Sequence, residues 1–266
     1  MINVDGMVSI IMPGYNEGDK IYSNLLEADR VLCGMFENYE IIFVNDGSKD
    51  TTLEMALKAK GECSRINVID CTINNGKGTA LQEGTEAARG KYIVFMDSDL
   101  DLPPAQLTRF FDILMQENAD VVIGSKMHPE SVSNYPSARK FTSFGYYLFL
   151  LILFRLNIHD TQTGLKLFKA NVIKPVMKII LVKRFAYDIE VLSIINRRGY
   201  KIAESPIVLD FSRGMKWGRI RFKDILDVII DTLAIYFRLN ISHYYDRQED
   251  KLLINNNDKS IRRFLD

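Results

Sequence analysis

The first 125 residues alternate between two periods, and that alternation restricts the possible fold more than any other feature. Short apolar, β-prone runs occupy residues 7–13, 40–45, 67–71, 92–96 and 120–124. Between them, residues 20–35, 51–63, 79–89 and 104–117 carry apolar side chains at helical spacing. A strand–helix rhythm of this kind predicts a mostly parallel α/β sheet with right-handed crossovers. Such sheets bind ligands beyond the carboxyl ends of their strands. Polar clusters stand at those ends: residues 14–18, 46–50, 74–78 and 97–101. That coincidence locates a site before any motif is considered.

Charge narrows the partners. Lys+Arg and Asp+Glu number 34 each, so no net field recruits nucleic acid, and any electrostatic function must come from local clusters. The three cysteines lack metal-ligand spacing and fit a reducing compartment. No basic segment followed by an apolar run opens the chain, so a cytoplasmic location is expected.

From residue 125 the pattern becomes irregular. A loop rich in Pro, Ser and Asn leads into residues 141–154, which carry no charge. As a helix this stretch is about 21 Å long, short of a hydrocarbon core of about 30 Å. It reads as an interfacial helix, with a buried core helix as the alternative. Residues 224–239 keep Asp224, Asp227, Asp231 and Arg238 on one narrow stripe of an otherwise apolar cylinder. Just before them, Arg213, Lys216, Arg219, Arg221 and Lys223 occur without an acid. Basic residues leading into an apolar helix predict docking on an anionic membrane surface without crossing it. Residues 246–266 read as a polar tail.

The strongest chemical signal is Asp97-Ser98-Asp99-Leu100-Asp101 at the end of the fourth run. Alternate carboxylates ending a buried strand are costly unless something neutralises them. Mg2+ or Mn2+ does so and can bridge them to a diphosphate, which makes Asp97, Asp99 and Asp101 candidate ligands. A helix cap is the competing reading of Asp101. Gly76-Lys77-Gly78 completes neither a dinucleotide fingerprint nor a P-loop, because Leu81 and Cys71 stand where glycines are required. Lys77 can still reach a phosphate from the start of the following helix.

Pro13-Gly14-Tyr15-Asn16-Glu17, Val44-Asn45-Asp46-Gly47-Ser48, Asn75-Gly76-Lys77-Gly78 and Asp97-Ser98-Asp99 occur in this order. Together they resemble the nucleotide-sugar motifs of inverting family-2 glycosyltransferases, which implies a GT-A (Rossmann-like) fold. By that resemblance Pro13, Tyr15 and Glu17 border the nucleoside and Asp46 hydrogen-bonds the base. Lys77, Asp97 and Ser98 join the nucleotide-sugar site, and Asp97 and Asp99 hold the metal. Asn45 replaces the first of two acids usual in the second motif.

In the second half, Gly124-Ser125-Lys126, Ala138-Arg139-Lys140 and Ser143 are similar to the acceptor side of polyprenyl-phosphate glycosyltransferases. Lys126 stands where arginine is usual, keeping the charge and losing the bidentate fork. The string Asp160-Thr161-Gln162-Thr163-Gly164-Leu165-Lys166-Leu167-Phe168, then Arg184-Phe185-Ala186-Tyr187-Asp188-Ile189-Glu190, resembles dolichyl-phosphate glucosyltransferases in particular. Arg213 matches a phosphate-binding arginine before C-terminal membrane-associated helices. The resemblance implies a donor half at 1–125, an acceptor half at 126–213, a membrane-interface region at 214–245 and a tail at 246–266. It also implies a UDP- or GDP-linked donor, UDP-glucose or GDP-mannose, and a polyprenyl phosphate acceptor on the cytoplasmic face.

A phosphate acceptor is largely dianionic at neutral pH and needs no general base. Lys126, Arg139, Ser143 and Arg213 are expected to grip it while the metal on Asp97 and Asp99 neutralises the departing diphosphate. Asp160 reads as an orienting group, a general base or a turn cap. Asp188 and Glu190 read as functional acids or as helix-surface charges. A soluble transferase acting on a sugar or protein hydroxyl is the alternative function, in which the apolar stretches become ordinary core.

Overall fold

The computed structural model describes residues 1–2, 4–132, 137–183, 186–209 and 222–248, with residues 137–144 and 222–227 described by their helical course only. The first half follows the expected rhythm: β1 (Val8–Gly14), α1 (Ile21–Met35), β2 (Tyr39–Asp46), α2 (Thr52–Glu62), β3 (Ile66–Cys71), α3 (Lys77–Ala87) and β4 (Tyr92–Phe95). A 3-10 turn at Pro104–Gln106 starts α4 (Leu107–Gln116), and β5 (Val121–Ser125) follows. Then come α5 (Ser137–Phe154), β6 (Lys166–Lys169), α6 (Ala170–Met177), α7 (Tyr187–Arg197), β7 (Ile202–Pro206) and α8 (Phe222–Tyr236), the last ending in a π turn at Phe237–Ile241.

One sheet of seven strands runs in the order β3-β2-β1-β4-β6-β5-β7. β1 pairs in parallel with β2 and β4, and β2 with β3. Every residue of β1 and β2 is buried, which explains their near-continuous apolar character: helices cover both faces. Leu25, Ala28 and Leu32 of α1, Ala56 of α2 and Phe110 and Phe111 of α4 fill one face. Leu81 of α3, Ile173 of α6, Ile189 and Leu192 of α7, Phe154 of α5 and Ile235 of α8 fill the other.

Two strands depart from the expected pattern. β6 inserts antiparallel between β4 and β5, so β5 is not the neighbour of β4 that a simple alternation implies. β7 pairs in parallel with β5 at the edge. Both are short, and β6 begins and ends on lysine, so neither has the apolar run that announces the others. α3 also starts two residues earlier than its apolar spacing suggests, at Lys77.

Among the described residues no helix is long and apolar enough to cross a membrane. α5 is neither purely core nor purely interfacial: Leu150 and Phe154 are buried, while Leu148 and Ile152 are 41% and 78% exposed. α8 and its π turn reverse the usual arrangement. Their outer side is apolar, with Ile230, Leu233, Phe237 and Ile241 each at least 49% exposed. Arg238, expected on the narrow polar stripe, turns inward onto the buried Glu190 at 3.0 Å. The basic run 213–221 lies outside the described residues, as does the tail beyond residue 248. Asp246, at the start of that tail, pairs with Arg197 at 3.3 Å.

Candidate active site

The loops beyond β1 and β2 are laced together by backbone donors meeting side-chain acceptors. Asn16, with a positive φ of 56°, donates its N–H to Ser48 Oγ at 2.9 Å and accepts from Lys49 N–H at 2.9 Å. Glu17 N–H donates to Thr52 Oγ1 at 2.7 Å and Gly18 N–H to Asp50 Oδ2 at 3.1 Å. A Cβ on Gly14 would stand 2.6 Å from the Phe43 ring, so only glycine fits there. The lacing leaves Pro13 buried and Tyr15 exposed at the cleft edge.

Asp46 is 4% exposed and already engaged. Its two oxygens accept the N–H groups of Asn75 at 3.0 Å and Gly76 at 2.9 Å, fixing the loop that starts α3. Each oxygen retains a second lone pair for a base. The expected anion site at the α3 N-terminus is partly consumed, since Gly78 N–H donates to the Lys183 carbonyl at 2.9 Å. Ser98 is buried, and its carbonyl accepts Asn24 Nδ2 at 2.8 Å, which gives it a structural task.

Carboxylates gather at the sheet edge. Burial and the neighbouring Asp97 and Asp101 push the Asp99 carboxyl up to about 6. Burial, together with Asp50, Asp101 and Asp97, also raises Glu17 despite Lys20. Burial pushes Asp97 up as well, but Lys77, Lys166 and Lys126 more than offset it and hold the group below the usual carboxylate range. Lys77 Nζ donates directly to Asp97 Oδ1. Each of these two side chains keeps 38% of its surface, so the pair remains partly open to solvent.

Leu100 carries a φ of 57°, a strained conformation for a bulky residue, and it turns the chain between Asp99 and Asp101. Asp99 Oδ1 accepts the Asp101 N–H at 3.1 Å across this turn. Among the described residues no three of His, Cys, Asp or Glu are gathered as a metal cluster, and Asp101 lies across the turn from Asp99. The remaining donor chemistry suits a cation that takes one or two carboxylates and completes its shell with water and phosphate. Asp99 fits best, because its neighbours' negative charge is what a cation would relieve.

On the acceptor side, Lys126 follows β5 and its Nζ lies 3.7 Å from Asp160 Oδ2. Asp160 accepts the Lys126 N–H at 3.0 Å, Thr163 Oγ1 at 2.7 Å and Gln162 N–H at 3.2 Å. With both oxygens so engaged it orients the loop, in keeping with the turn-cap reading more than with a base. Lys126 and Asp160 share a small cavity of about 60 Å³ with Tyr146, Tyr147, Leu150 and Ile158. Arg139 and Ser143 fall on the first turns of α5, whose side chains lie outside the described residues, and Arg213 lies outside them altogether.

Residues 9–176, more than half of the chain, match the pattern of glycosyl transferase family 2. The chain belongs to that family. It is therefore a glycosyltransferase. A dolichyl-phosphate beta-glucosyltransferase (ALG5A) of Trichomonas vaginalis is 31% identical over 91% of this chain and 77% of its own. The dolichyl-phosphate beta-glucosyltransferase of Dictyostelium discoideum is 30% identical over 87% and 74% respectively. A solved structure of glucosyl-3-phosphoglycerate synthase from Mycobacterium tuberculosis, in complex with Mn2+, UDP and glucosyl-3-phosphoglycerate, superposes with a TM-score of 0.62. That superposition covers 87% of this chain and 78% of the other at 18% identity, so it speaks for the GT-A fold alone.

One buried cation of this family-2 chain had no role in the sequence pattern. Lys166, 2% exposed, pairs with Asp188 at 2.6 Å beneath Asp97. Asp188 and Glu190 are 6% and 0% exposed, which corrects their reading as surface charges. Burial lifts the Asp188 carboxyl, with Lys166 and Lys77 opposing. A lysine inside a strand that lines the core is itself a signal for a buried acidic partner.

Proposed function

We propose that the enzyme transfers glucose from UDP-glucose to a polyprenyl phosphate at a membrane surface, with Mg2+ or Mn2+ and inversion at the anomeric carbon. The observation that carries this reading is the cavity where Lys126 meets Tyr146, Tyr147 and Leu150 of α5. A cation among aromatic and aliphatic side chains suits a phosphate attached to an apolar chain. The cavity borders α5, whose Leu148 and Ile152 are exposed, and α5 packs on α8 through Tyr146–Thr232 and Phe154–Tyr236. The apolar outer side of α8 extends that surface and fits a bilayer better than water. Relatives named dolichyl-phosphate beta-glucosyltransferase favour glucose and a dolichyl-type acceptor. A neighbour of the same fold was solved with UDP and Mn2+, and a uridine donor with a divalent ion is consistent with that fold.

In this reading Tyr15, Glu17 and Asp46 border the nucleoside, and Asp97 and Asp99 hold the metal, which supplies charge neutralisation to the departing diphosphate. Lys77, on Asp97, faces the same phosphates. Lys126, with Arg139, Ser143 and Arg213, receives the acceptor phosphate. The dianion attacks the anomeric carbon without a general base, and Asp160 keeps Lys126 oriented. The cytoplasmic membrane face is the side on which a nucleotide sugar is available.

The test incubates the enzyme with UDP-glucose or GDP-mannose, a polyprenyl phosphate and Mn2+, and follows labelled sugar into organic solvent. Glucosyl lipid from UDP-glucose alone is expected. Transfer only to water-soluble hydroxyl acceptors would replace the lipid reading.

A further inference from the structure

A carboxylate outside the proposed chemistry sits at the centre of the second core. Glu190 on α7 is 0% exposed, and among the described residues its hydrogen-bond partners are donors. It accepts the N–H of Leu181 at 3.0 Å and of Val182 at 2.7 Å. Arg238 Nη1 donates to it at 3.0 Å, and the Tyr245 hydroxyl donates to the same oxygen, Oε1. Burial raises this carboxyl above its usual value, and the four donors around it, one of them cationic, oppose that shift and suit the anion. Two of these donors belong to the strap of residues 178–183 between α6 and α7. The other two belong to the C-terminal segment that begins with α8.

The opposite edge of the strap rests on the donor site. Lys183 contributes the carbonyl that receives the Gly78 N–H, and Gln82 Nε2 donates to the Met177 carbonyl at 2.7 Å. A Cβ on Gly78 would stand 2.9 Å from the carbonyl oxygens of both Val182 and Lys183, so the strap and α3 touch backbone to backbone. The residue before Gly78 is Lys77, which holds Asp97.

We propose that Glu190 is a positioning residue through which the C-terminal segment sets the donor site. The proposal rests on reading Lys77 and Asp97 as donor-site groups. Arg238 and Tyr245 orient the carboxylate, the carboxylate pins the strap, and the strap seats the first turn of α3 so that Lys77 meets Asp97. Because the far side of the same helix presents the exposed apolar face, seating that helix and shaping the nucleotide cleft are one event.

Glu190→Gln would set an amide against four donors and endanger folding, so the test uses Tyr245→Phe and Arg238→Gln. Amide hydrogen exchange is followed at Gly78, Leu181 and Val182, and UDP affinity in Mn2+ is measured by calorimetry. Exchange at these three amides should quicken about tenfold in Arg238→Gln, and less in Tyr245→Phe, while β1 and β2 stay protected. UDP affinity should fall about fivefold in Arg238→Gln, with no further fall when the change is added to Lys77→Met. Unchanged exchange at the strap, or a loss that adds fully to that of Lys77→Met, overturns the proposal. A wild type that binds neither UDP nor GDP overturns the donor-site reading itself. That result is distinct from normal binding with unchanged exchange, which removes the role of Glu190 alone.

Discussion

Gly164 lies flush against the carboxylate of Asp97: a Cβ on Gly164 would stand 2.0 Å from Oδ2. The loop leading into β6 thus forms one wall of the acidic site, and no side chain larger than hydrogen fits between them. Gly164→Ala must displace either the loop or the carboxylate. Overpacking of this kind costs about 1–3 kcal/mol. Glucosyl transfer should fall at least about tenfold, a barrier increase of about 1.4 kcal/mol, while circular dichroism stays unchanged. Near-normal turnover would mean that Asp97 is free to rotate away without consequence.

Asp99→Asn separates catalysis from stability. The folded carboxyl sits at about 6, above its ordinary value of 3.8, so the folded state binds the proton more tightly than the unfolded chain. The ionised group therefore costs stability above about pH 6, and the cost fades as pH falls through that value. In chelator at about pH 7.5 the variant should melt a few degrees higher than wild type, and near pH 4 the two should coincide. Turnover should drop below about a tenth. A variant that melts lower in chelator at neutral pH would contradict the electrostatic account.

Lys166 and Asp188 form a buried pair, and breaking one side is worse than removing both. Lys166→Met strands the Asp188 carboxylate and should cost about 3–5 kcal/mol in urea denaturation. Adding Asp188→Leu should recover most of that loss. Donor hydrolysis should not return with it, because Lys166 also helps hold Asp97 ionised. Full recovery of hydrolysis in the double variant would show the pair to be packing alone.

The first half was legible because β1, β2, β4 and β5 are buried throughout and polar residues collect at the strand ends. The Asp97 and Asp99 carboxylates stand out there against apolar neighbours. The second half hid for the opposite reason. β6 opens and closes on lysine, and Lys166 is tolerated inside the sheet through the Thr163 carbonyl and through Asp188, which lies over twenty residues away in sequence. Helical spacing put Arg238 on a stripe with three acids, and its partner Glu190 lies on another helix. Neither pairing leaves a periodic trace. Asp46 stood out in the second motif, but its grip on Asn75 and Gly76 depends on a loop path that no local pattern encodes.

The outer side of α8 offers a direct test of membrane docking. Ile230→Gln, Leu233→Gln and Ile241→Gln together remove apolar contact from positions that are 62%, 49% and 60% exposed, so folding should be unaffected. Flotation with anionic vesicles should fall markedly, since each buried aliphatic side chain contributes about 1.5–3 kcal/mol. Metal-dependent hydrolysis of the donor in detergent should persist. Unchanged flotation would move the docking surface elsewhere.

The antiparallel pairing of β5 with β6 has a topological consequence. The chain leaves the sheet at Ser125 and re-enters it at Lys166, one strand over, where Gly124 N–H meets the Leu165 carbonyl at 3.0 Å. The whole excursion between them, α5 included, is an insert whose two ends are already tied together. Closing such an insert costs only about 0.6 kcal/mol more for each doubling of its length. Segments of different length can therefore be accommodated at this doorway at small entropic cost, provided that Gly164 against Asp97 and the core contacts of Leu150 and Phe154 are kept.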